Sequence, residues 1–385
     1  MEKVCLLRHD SYDVDSLERK LREGFEMLGG EAYLRKLIPA GSRVLLKPNL
    51  LSMVEKGSPV ITHYAMFEAV IRIVSEYSDD ISFGDSPGSS DARKAAEKGG
   101  LIEVADRYGV KFADFRDEVH VELDDPIMFR YWDVARAPYE ADVVISLPKL
   151  KTHAMMYYTG AVKNQFGCLY GSQKAVWHTK QPDPMNFAKM LLDLNSLVGT
   201  SFAILDGIVA MEGNGPRNGT PKRLDSIIMG EDLAAVDSVA VRLIGYDKVL
   251  HVPFLKAVRE TGWGKVMPED IEVLGETIDS LKCDDFKLSR SAGAVNFLSP
   301  KLNNLIGSLT APDPVVIDEK CISCRMCDEV CPRRPDVITF VERNGKKVPK
   351  WDYSKCIRCF CCQELCPKGA IVTRRKLIGK LFRVG

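Results

Sequence analysis

No stretch of this sequence reaches the roughly 18 to 20 uncharged apolar residues that a membrane-spanning helix needs, so no span is expected. The opening MEKVCLLRHD lacks the cationic start and long apolar core of an export signal, which points to a cytoplasmic protein. Neither a G-x-G-x-x-G fingerprint nor a phosphate loop ending in Gly-Lys-Ser/Thr is present, and that disfavours nicotinamide and ATP. A flavin leaves no clear mark either way. Net charge is also missing, with 53 Lys and Arg against 53 Asp and Glu.

Cysteine is the residue in surplus. Of twelve, only Cys5, Cys168 and Cys283 precede residue 313, and nine crowd into the last 73 residues. Without an export signal such a set reads as metal ligands rather than disulfides. The run CISCRMCDEVCP places Cys321, Cys324, Cys327 and Cys331 at C-x2-C-x2-C-x3-C, followed by Pro332. The run CIRCFCCQELCP repeats that spacing 35 residues later at Cys356, Cys359, Cys362 and Cys366, followed by Pro367.

This is the bacterial ferredoxin pattern, in which three thiolates wrap one 4Fe-4S cube and the fourth crosses to the other. One cluster then takes Cys321, Cys324, Cys327 and Cys366, and the other takes Cys356, Cys359, Cys362 and Cys331. Zinc also accepts four thiolates in C-x2-C pairs, but the doubled four-cysteine run with its Cys-Pro ending favours iron–sulfur. Cys361 is the surplus thiol and reads as a non-ligand. Between the runs, DVITFVERNGKKVPKWD has two strands about an Asn344-Gly345 turn, the signature of a hairpin.

The zero net charge conceals a division. Residues 313–385 hold 16 Lys and Arg against 9 Asp and Glu, leaving 37 against 44 for the rest. Each four-thiolate cluster carries about two negative charges when oxidised, which the basic surplus largely offsets. No nucleic-acid motif accompanies it, and no nucleic-acid partner is expected. The final RRKLIGKLFRVG reads as a basic tail with one apolar helical face packed on a neighbour.

A chain of 385 residues is too long for one core of ordinary size. The division expected is an α/β domain over 1–285, a connecting segment over 286–312 and a ferredoxin-type domain over 313–385. In the first part, Val- and Ile-rich runs alternate with stretches of helical period, which argues for a mainly parallel sheet covered by helices. RVLLKPN, ISFGDSPG, DVVISLPK and SFAILDG read as buried strands, with SIIMG and IEVLG adding two. Helices are expected near 13–28, 62–77, 89–108, 184–198 and 231–244, the fourth capped by Asp183 before Pro184.

Open α/β sheets bind ligands at the carboxyl ends of their strands. The polar residues expected there are Lys47 and Asn49, then Asp85, then Lys149, Lys151 and His153, then Asp206, with Lys163 and Asn164 from TGAVKNQFG. Fixed cations at such an edge favour an anionic or carbonyl-bearing ligand. Asp85 and Asp206 are candidates for holding a divalent metal or positioning a proton transfer. The loops GDSPGSS at 84 and GNGPRNGTP at 213 are candidate sources of backbone amides for a phosphate or carboxylate. Cys168 reads as a packing thiol.

The segments KPNLL at 47, GDSPG at 84, LPKLKTH at 147, TGAVKNQFG at 159 and GEDLAAVDSVAVRLIG at 230 resemble the family catalogued as domain of unknown function 362. Members often carry a C-terminal pair of 4Fe-4S motifs. The resemblance spans the chain and marks Lys47, Asn49, Asp85, Lys149, Lys151, His153, Lys163, Asn164 and Asp237 as motif positions, without assigning them chemistry.

The function expected is that of an iron–sulfur redox protein. Two clusters would exchange electrons between an external redox partner protein and an anionic small molecule or cofactor on the α/β domain, oriented by Lys149, Lys151, His153 and Lys163. His153 is the candidate proton donor, since imidazole titrates near neutral pH. The competing expectation is a non-catalytic electron carrier or assembly factor acting on a protein partner.

Overall fold

The computed structural model describes residues 1–88, 90–171, 173–289 and 312–374. Its strands in chain order are β1 (Glu2–Arg8), β2 (Val44–Pro48), β3 (Ile81–Phe83), β4 (Lys111–Phe112), β5 (Glu118–Glu122), β6 (Tyr131–Ala135), β7 (Val143–Leu147) and β8 (Lys149–His153). There follow β9 (Tyr157–Thr159), β10 (Phe202–Glu212), β11 (Thr220–Gly230), β12 (Ile271–Gly275), β13 (Asp313–Val316), β14 (Ile338–Arg343), β15 (Lys346–Trp351) and β16 (Ile371–Arg374).

One large sheet runs β12-β1-β11-β10-β7-β2-β3-β4, with β8 pairing to β10 and β9 to β8. Pairing is parallel from β10 through β7, β2 and β3 to β4, and again between β1 and β12. It is antiparallel where β11 lies between β1 and β10. The expected mainly parallel α/β sheet is what the chain forms. The antiparallel pair has a simple cause: only residues 213–219 join β10 to β11, too few for a crossover.

Successive strand residues serve opposite faces. Val44, Leu46, Val143, Ile145, Phe202 and Ile204 pack with the helices Val14–Leu28, Tyr64–Val74 and Leu101–Tyr108. Leu45, Val144, Ala203 and Leu205 pack on the other side with Pro184–Val198, Leu233–Leu243 and Pro253–Thr261. Burial on both faces is why these strands read as unbroken apolar runs. Asp183 accepts from the amides of Met185 and Asn186 and Pro184 opens the helix, as expected.

The single helix expected over 89–108 is instead two, Ala92–Lys98 and Leu101–Tyr108. Gly100 breaks it with φ 82°, a left-handed conformation that glycine adopts at little cost. A second correction concerns KLKTH. Its residues do not hang beyond a strand end but form β8, which resumes along β10 after Pro148, with Lys149 opposite Asp206 and Lys151 opposite Met211. Asp206 is likewise inside the long β10 rather than at its end, yet lies just past the end of β7, opposite Lys149, because β10 pairs with β7 only at Phe202 and Ala203.

The cysteine-rich unit holds the expected hairpin, β14 and β15, turning at Asn344 (φ 51°) and Gly345 (φ 70°), while β13 pairs antiparallel with β16. Its 35-residue repeat is visible in the backbone. Ser323 and Arg325 have φ 57° and 63°, and their repeats Arg358 and Phe360 have φ 56° and 61°; the short helices Met326–Glu329 and Cys361–Glu364 follow in register.

The loop between β10 and β11 ties the two units together. Asn218 Nδ2 donates to the carbonyls of Gln363 (3.1 Å) and Cys366 (3.3 Å), and Gln363 Nε2 donates to the carbonyl of Gly215 (3.1 Å) and to Asn214 Oδ1 (2.9 Å). This loop, expected as a candidate anion cradle, thus has its polar side chains committed to the cysteine-rich unit. Residues 290–311 of the expected connecting segment and 375–385 of the basic tail lie outside the described residues.

Candidate functional site

The ends of β2, β3 and β7 lie side by side, Lys47 registering with Ser146 and Leu46 with Phe83. From them a buried polar layer is built. Lys47 Nζ donates to Asp85 Oδ1 (2.7 Å) and to the Asn164 carbonyl (2.7 Å), while Asp85 Oδ2 accepts the Leu50 amide (2.7 Å). Asn164 Nδ2 donates to Ser146 Oγ (2.9 Å), Asn49 Nδ2 donates to Asn164 Oδ1 (3.1 Å), and Lys151 Nζ donates to Asn49 Oδ1 (2.6 Å) and the Val60 carbonyl (2.8 Å). Such a connected layer is stable only because each member is satisfied.

Two glycines of TGAVKNQFG make room for it. A Cβ on Gly167 would stand 1.9 Å from Asp85 Oδ1, and one on Gly160 would stand 1.9 Å from the Tyr158 hydroxyl. Asp237 sits below, its carboxylate accepting from Tyr158 Oη (2.8 Å) and the amides of Ala161 (2.7 Å) and Val162 (2.9 Å). It therefore fixes the segment bearing Lys163 and Asn164 rather than meeting a ligand.

Lys149 and Asp206 form a separate sealed pair. Lys149 Nζ donates to Asp206 Oδ2 (2.7 Å) and to the Tyr12 hydroxyl (2.8 Å), which itself donates to Asp206 Oδ1 (2.7 Å). Tyr12 stacks on His63 with ring centroids 3.6 Å apart. The Lys149 and Asp206 side chains are at most 1% exposed.

Above the polar layer lies a cavity of about 390 Å³ at the junction of the two units. Asn49, Asp85, Lys151, His153, Lys163 and Asn164 line it; Lys47, Lys149 and Asp206 do not. The geometry thus brings six of the nine expected α/β residues together. Asp85 and Asp206 each already face a lysine, and no group of three metal-ligating side chains is positioned for a single ion among the described residues. The expected roles of Lys149 and Asp206 at a ligand, and of the two aspartates at one metal, do not fit this placement, because both carboxylates are neutralised where they stand.

His153 also departs from its expected part. Its Nδ1 accepts the amides of Met155 and Met156 (3.1 Å each), so the neutral ring carries its proton on Nε2. That Nε2 is buried without a hydrogen-bond partner, 3.6 Å from Glu364 Oε2. Burial first, and then Lys163, lowers its pKa to about 4. At neutral pH it offers a directed N–H, not an imidazolium. Burial also brings Lys151 down to about 7 and Lys174 to about 8.

Four titratable cavity residues were not foreseen: Lys174, His178, Glu364 and Glu329. Lys174 and His178 share one face of the helix Gln173–Lys180 at a four-residue spacing, a signal the sequence did offer. Lys174 Nζ donates to the Ser86 carbonyl, and His178 Nδ1 is buried without a partner. Glu364 comes from the cysteine-rich unit. Burial opposes its charge, but His153, Lys163 and His178 outweigh it and hold the carboxyl well below its usual range. Nothing local in CQELC foretells this; docking alone brings it here.

The cysteines fit the cofactor their spacing implies. Cys321, Cys324, Cys327 and Cys366 line one small cavity, the fourth arriving from the other repeat. Burial, and then the crowding of Cys359, Cys356, Cys327 and Cys331, pushes the Cys362 thiol well up, a cost that a bound cationic centre relieves. Left-handed residues recur at matching positions in both loops, the backbone form that makes amide concavities for anions. Cys331 and Cys361 also line the large cavity. Cys168 is buried against Gln165, its thiol pushed up to about 12 by burial above all, in keeping with a packing role.

Residues 44–242 match the family described as domain of unknown function (DUF362), and residues 320–370 match a 4Fe-4S dicluster domain. A thylakoid-associated protein of Synechocystis sp. is 33% identical over 303 residues, 78% of this chain and 92% of that protein. Among solved structures, the lactate racemase apoprotein from Thermoanaerobacterium thermosaccharolyticum matches 60% of this chain and 54% of its own, at 12% identity and TM-score 0.37. A Thermotoga maritima protein matches 54% and 53%, at 11% identity and TM-score 0.37. The chain spans about half the length of these two structures. Among the described residues no helix is long and apolar enough to cross a membrane.

Proposed function

Since this chain belongs to the DUF362 family and ends in a 4Fe-4S dicluster domain, we propose that it is an oxidoreductase that binds an anionic small molecule or cofactor in the interdomain cavity. It exchanges electrons with that ligand through two clusters, held by Cys321, Cys324, Cys327 and Cys366 and by Cys356, Cys359, Cys362 and Cys331. We retain the division into 1–285, 286–312 and 313–385. The clusters supply one-electron chemistry; the rest of the work falls to side chains.

The observation that carries the reading is the shared lining of the cavity. Lys151, Lys163, Lys174 and His153 come from one unit, and Cys331, Cys361 and Glu364 from the other. A ligand seated there touches the cation set and lies against a cluster thiolate at once. Lys163 and Lys174 attract and orient its negative charge, the Nε2–H of His153 marks one polar end, and Lys151 holds or releases a proton. Asp237, Gly160 and Gly167 keep that arrangement in place. The cavity's size falls in the roughly 300–1,000 Å³ range of small-molecule sites. Clusters of this kind suit the reducing conditions of the cytoplasm.

The test is isolation without oxygen, followed by metal analysis and mass analysis of what co-purifies. About eight irons per chain are expected, together with an anionic molecule that is lost in the Lys151→Ala, Lys163→Ala double variant while the cluster spectrum persists. Zinc in place of iron, or a co-purifying molecule retained unchanged by the double variant, would reject the reading.

A further inference from the structure

We propose that the first cysteine set is the face at which this protein meets its redox partner, and that the partner is a small acidic one-electron carrier protein. The inference rests on the redox reading above and adds to it a direction in space and a partner chemistry. It comes from the different surroundings of two sets that share one sequence pattern. Each set has two buried cysteines, Cys327 and Cys366 in the first and Cys359 and Cys362 in the second, but Cys331 of the second lines the interdomain cavity. Cys324 is exposed, and Ile322 beside it leaves 54% of its surface open. A large apolar residue left open next to a redox centre suits a brief protein contact.

Charge selects the partner. The charged side chains lining the first-set cavity are Arg325 and Lys368, both cations. Lys346 Nζ reaches the Cys321 carbonyl at 3.5 Å, and Lys347 and Lys350 are exposed along the same hairpin. That hairpin, residues 338–351, has four cations and one acid, Glu342, which stands opposite Lys347. Asp318 nearby is paired with Arg343 at 3.5 Å. These cations outnumber the acids beside them around the exposed Cys324. They raise the encounter rate of an acidic protein and turn away a basic one. The exchange moves one electron and nothing else: the carrier is oxidised by one as this protein is reduced by one, with no bond made and no proton required.

The experiment uses the full chain isolated without oxygen, with an acidic flavodoxin as the probe and basic cytochrome c as the probe of opposite charge. Association is read by surface plasmon resonance, and electron exchange by stopped-flow absorbance, both across a range of ionic strength. In the triple variant Lys346→Glu, Lys350→Glu, Lys368→Glu, association with flavodoxin at low salt should fall by about tenfold or more, the salt dependence should flatten, and association with cytochrome c should rise. Iron content and the cluster spectrum report integrity. If the charge reversals cost iron, the Lys346→Gln, Lys350→Gln, Lys368→Gln variant is read the same way with a smaller drop. An unchanged rate and salt slope, or an equal loss against both probes, overturns the proposal. Association is read without any cavity ligand, so its failure and the failure of the cavity reading are separate results.

Discussion

Lys149 and Lys151 lie two residues apart on one strand and meet opposite fates. Lys149 is closed into an ion pair with Asp206 and Tyr12, whereas Lys151 lines an open cavity and donates only to neutral oxygens. Lys47 and Lys163 repeat the contrast: the first is sealed against Asp85, 0% and 3% exposed respectively, and the second faces the cavity. A dense set of lysines at a sheet edge is therefore two populations. One neutralises carboxylates beneath the site, and the other is free to meet a ligand.

The largest effect should come from opening a sealed pair. Lys149→Ala leaves the Asp206 carboxylate buried without its cation, and loss of one partner of such a pair costs about 3–5 kcal/mol. Chemical denaturation reads this directly. The cavity-facing Lys163→Ala should cost less, about 1 kcal/mol, because it breaks no direct ion pair and removes only a longer-range attraction to Glu364. Equal losses at the two positions would erase the distinction between sealed and open lysines.

A smaller effect is expected at Gly167. A Cβ there would collide with Asp85 Oδ1 and come within 2.8 Å of Lys47 Nζ. Gly167→Ala should therefore cost roughly 1–3 kcal/mol, as overpacking does, and should weaken ligand binding through the displaced layer. Thermal unfolding followed by binding measurements checks both. A fully stable, fully binding Gly167→Ala protein would show that the polar layer does not support the cavity.

The last expected change is one of pH. His63, against the sealed pair, has its pKa lowered to about 4, and His178, in the cavity wall, to about 3, burial being the main cause for both. Above about pH 6.5 both states are neutral and the full stability is present. As pH falls from there toward 4, the unfolded chain takes up protons that the folded chain refuses, so stability is lost over that window. Unfolding free energies between pH 7 and 4.5 should fall by about 2 kcal/mol for each of these two residues. His178→Phe should flatten the part due to the cavity wall and leave that of His63. A pH profile unaltered by the substitution would mean that His178 is not held neutral by its surroundings.

Much of the architecture was legible because it follows local rules. Unbroken apolar runs gave the buried strands, and Asp183 with Pro184 gave a helix start. Where the reading failed, a residue with two meanings stood at the failure. Pro148 reads as a strand end, yet KLKTH after it forms β8 and is buried along its whole length. Gly99-Gly100 was passed over inside a helical pattern that it divides.

The sequence alone determined the cofactor. Two runs of four cysteines, offset by one repeat, dictate their own loop geometry, because ligand spacing, left-handed residues and the following proline all act within a few residues. It also determined that cations would gather at the strand ends. Which of those cations are sealed and which face a ligand was decided only by the tertiary structure. That choice depends on carboxylates 38 and 57 residues away in sequence, Asp85 from Lys47 and Asp206 from Lys149. The arrival of Glu364 and Cys331 at the cavity was decided the same way. It required a loop between two strands of one unit to grip the cysteine-rich unit, and no spacing in a linear chain records such a contact.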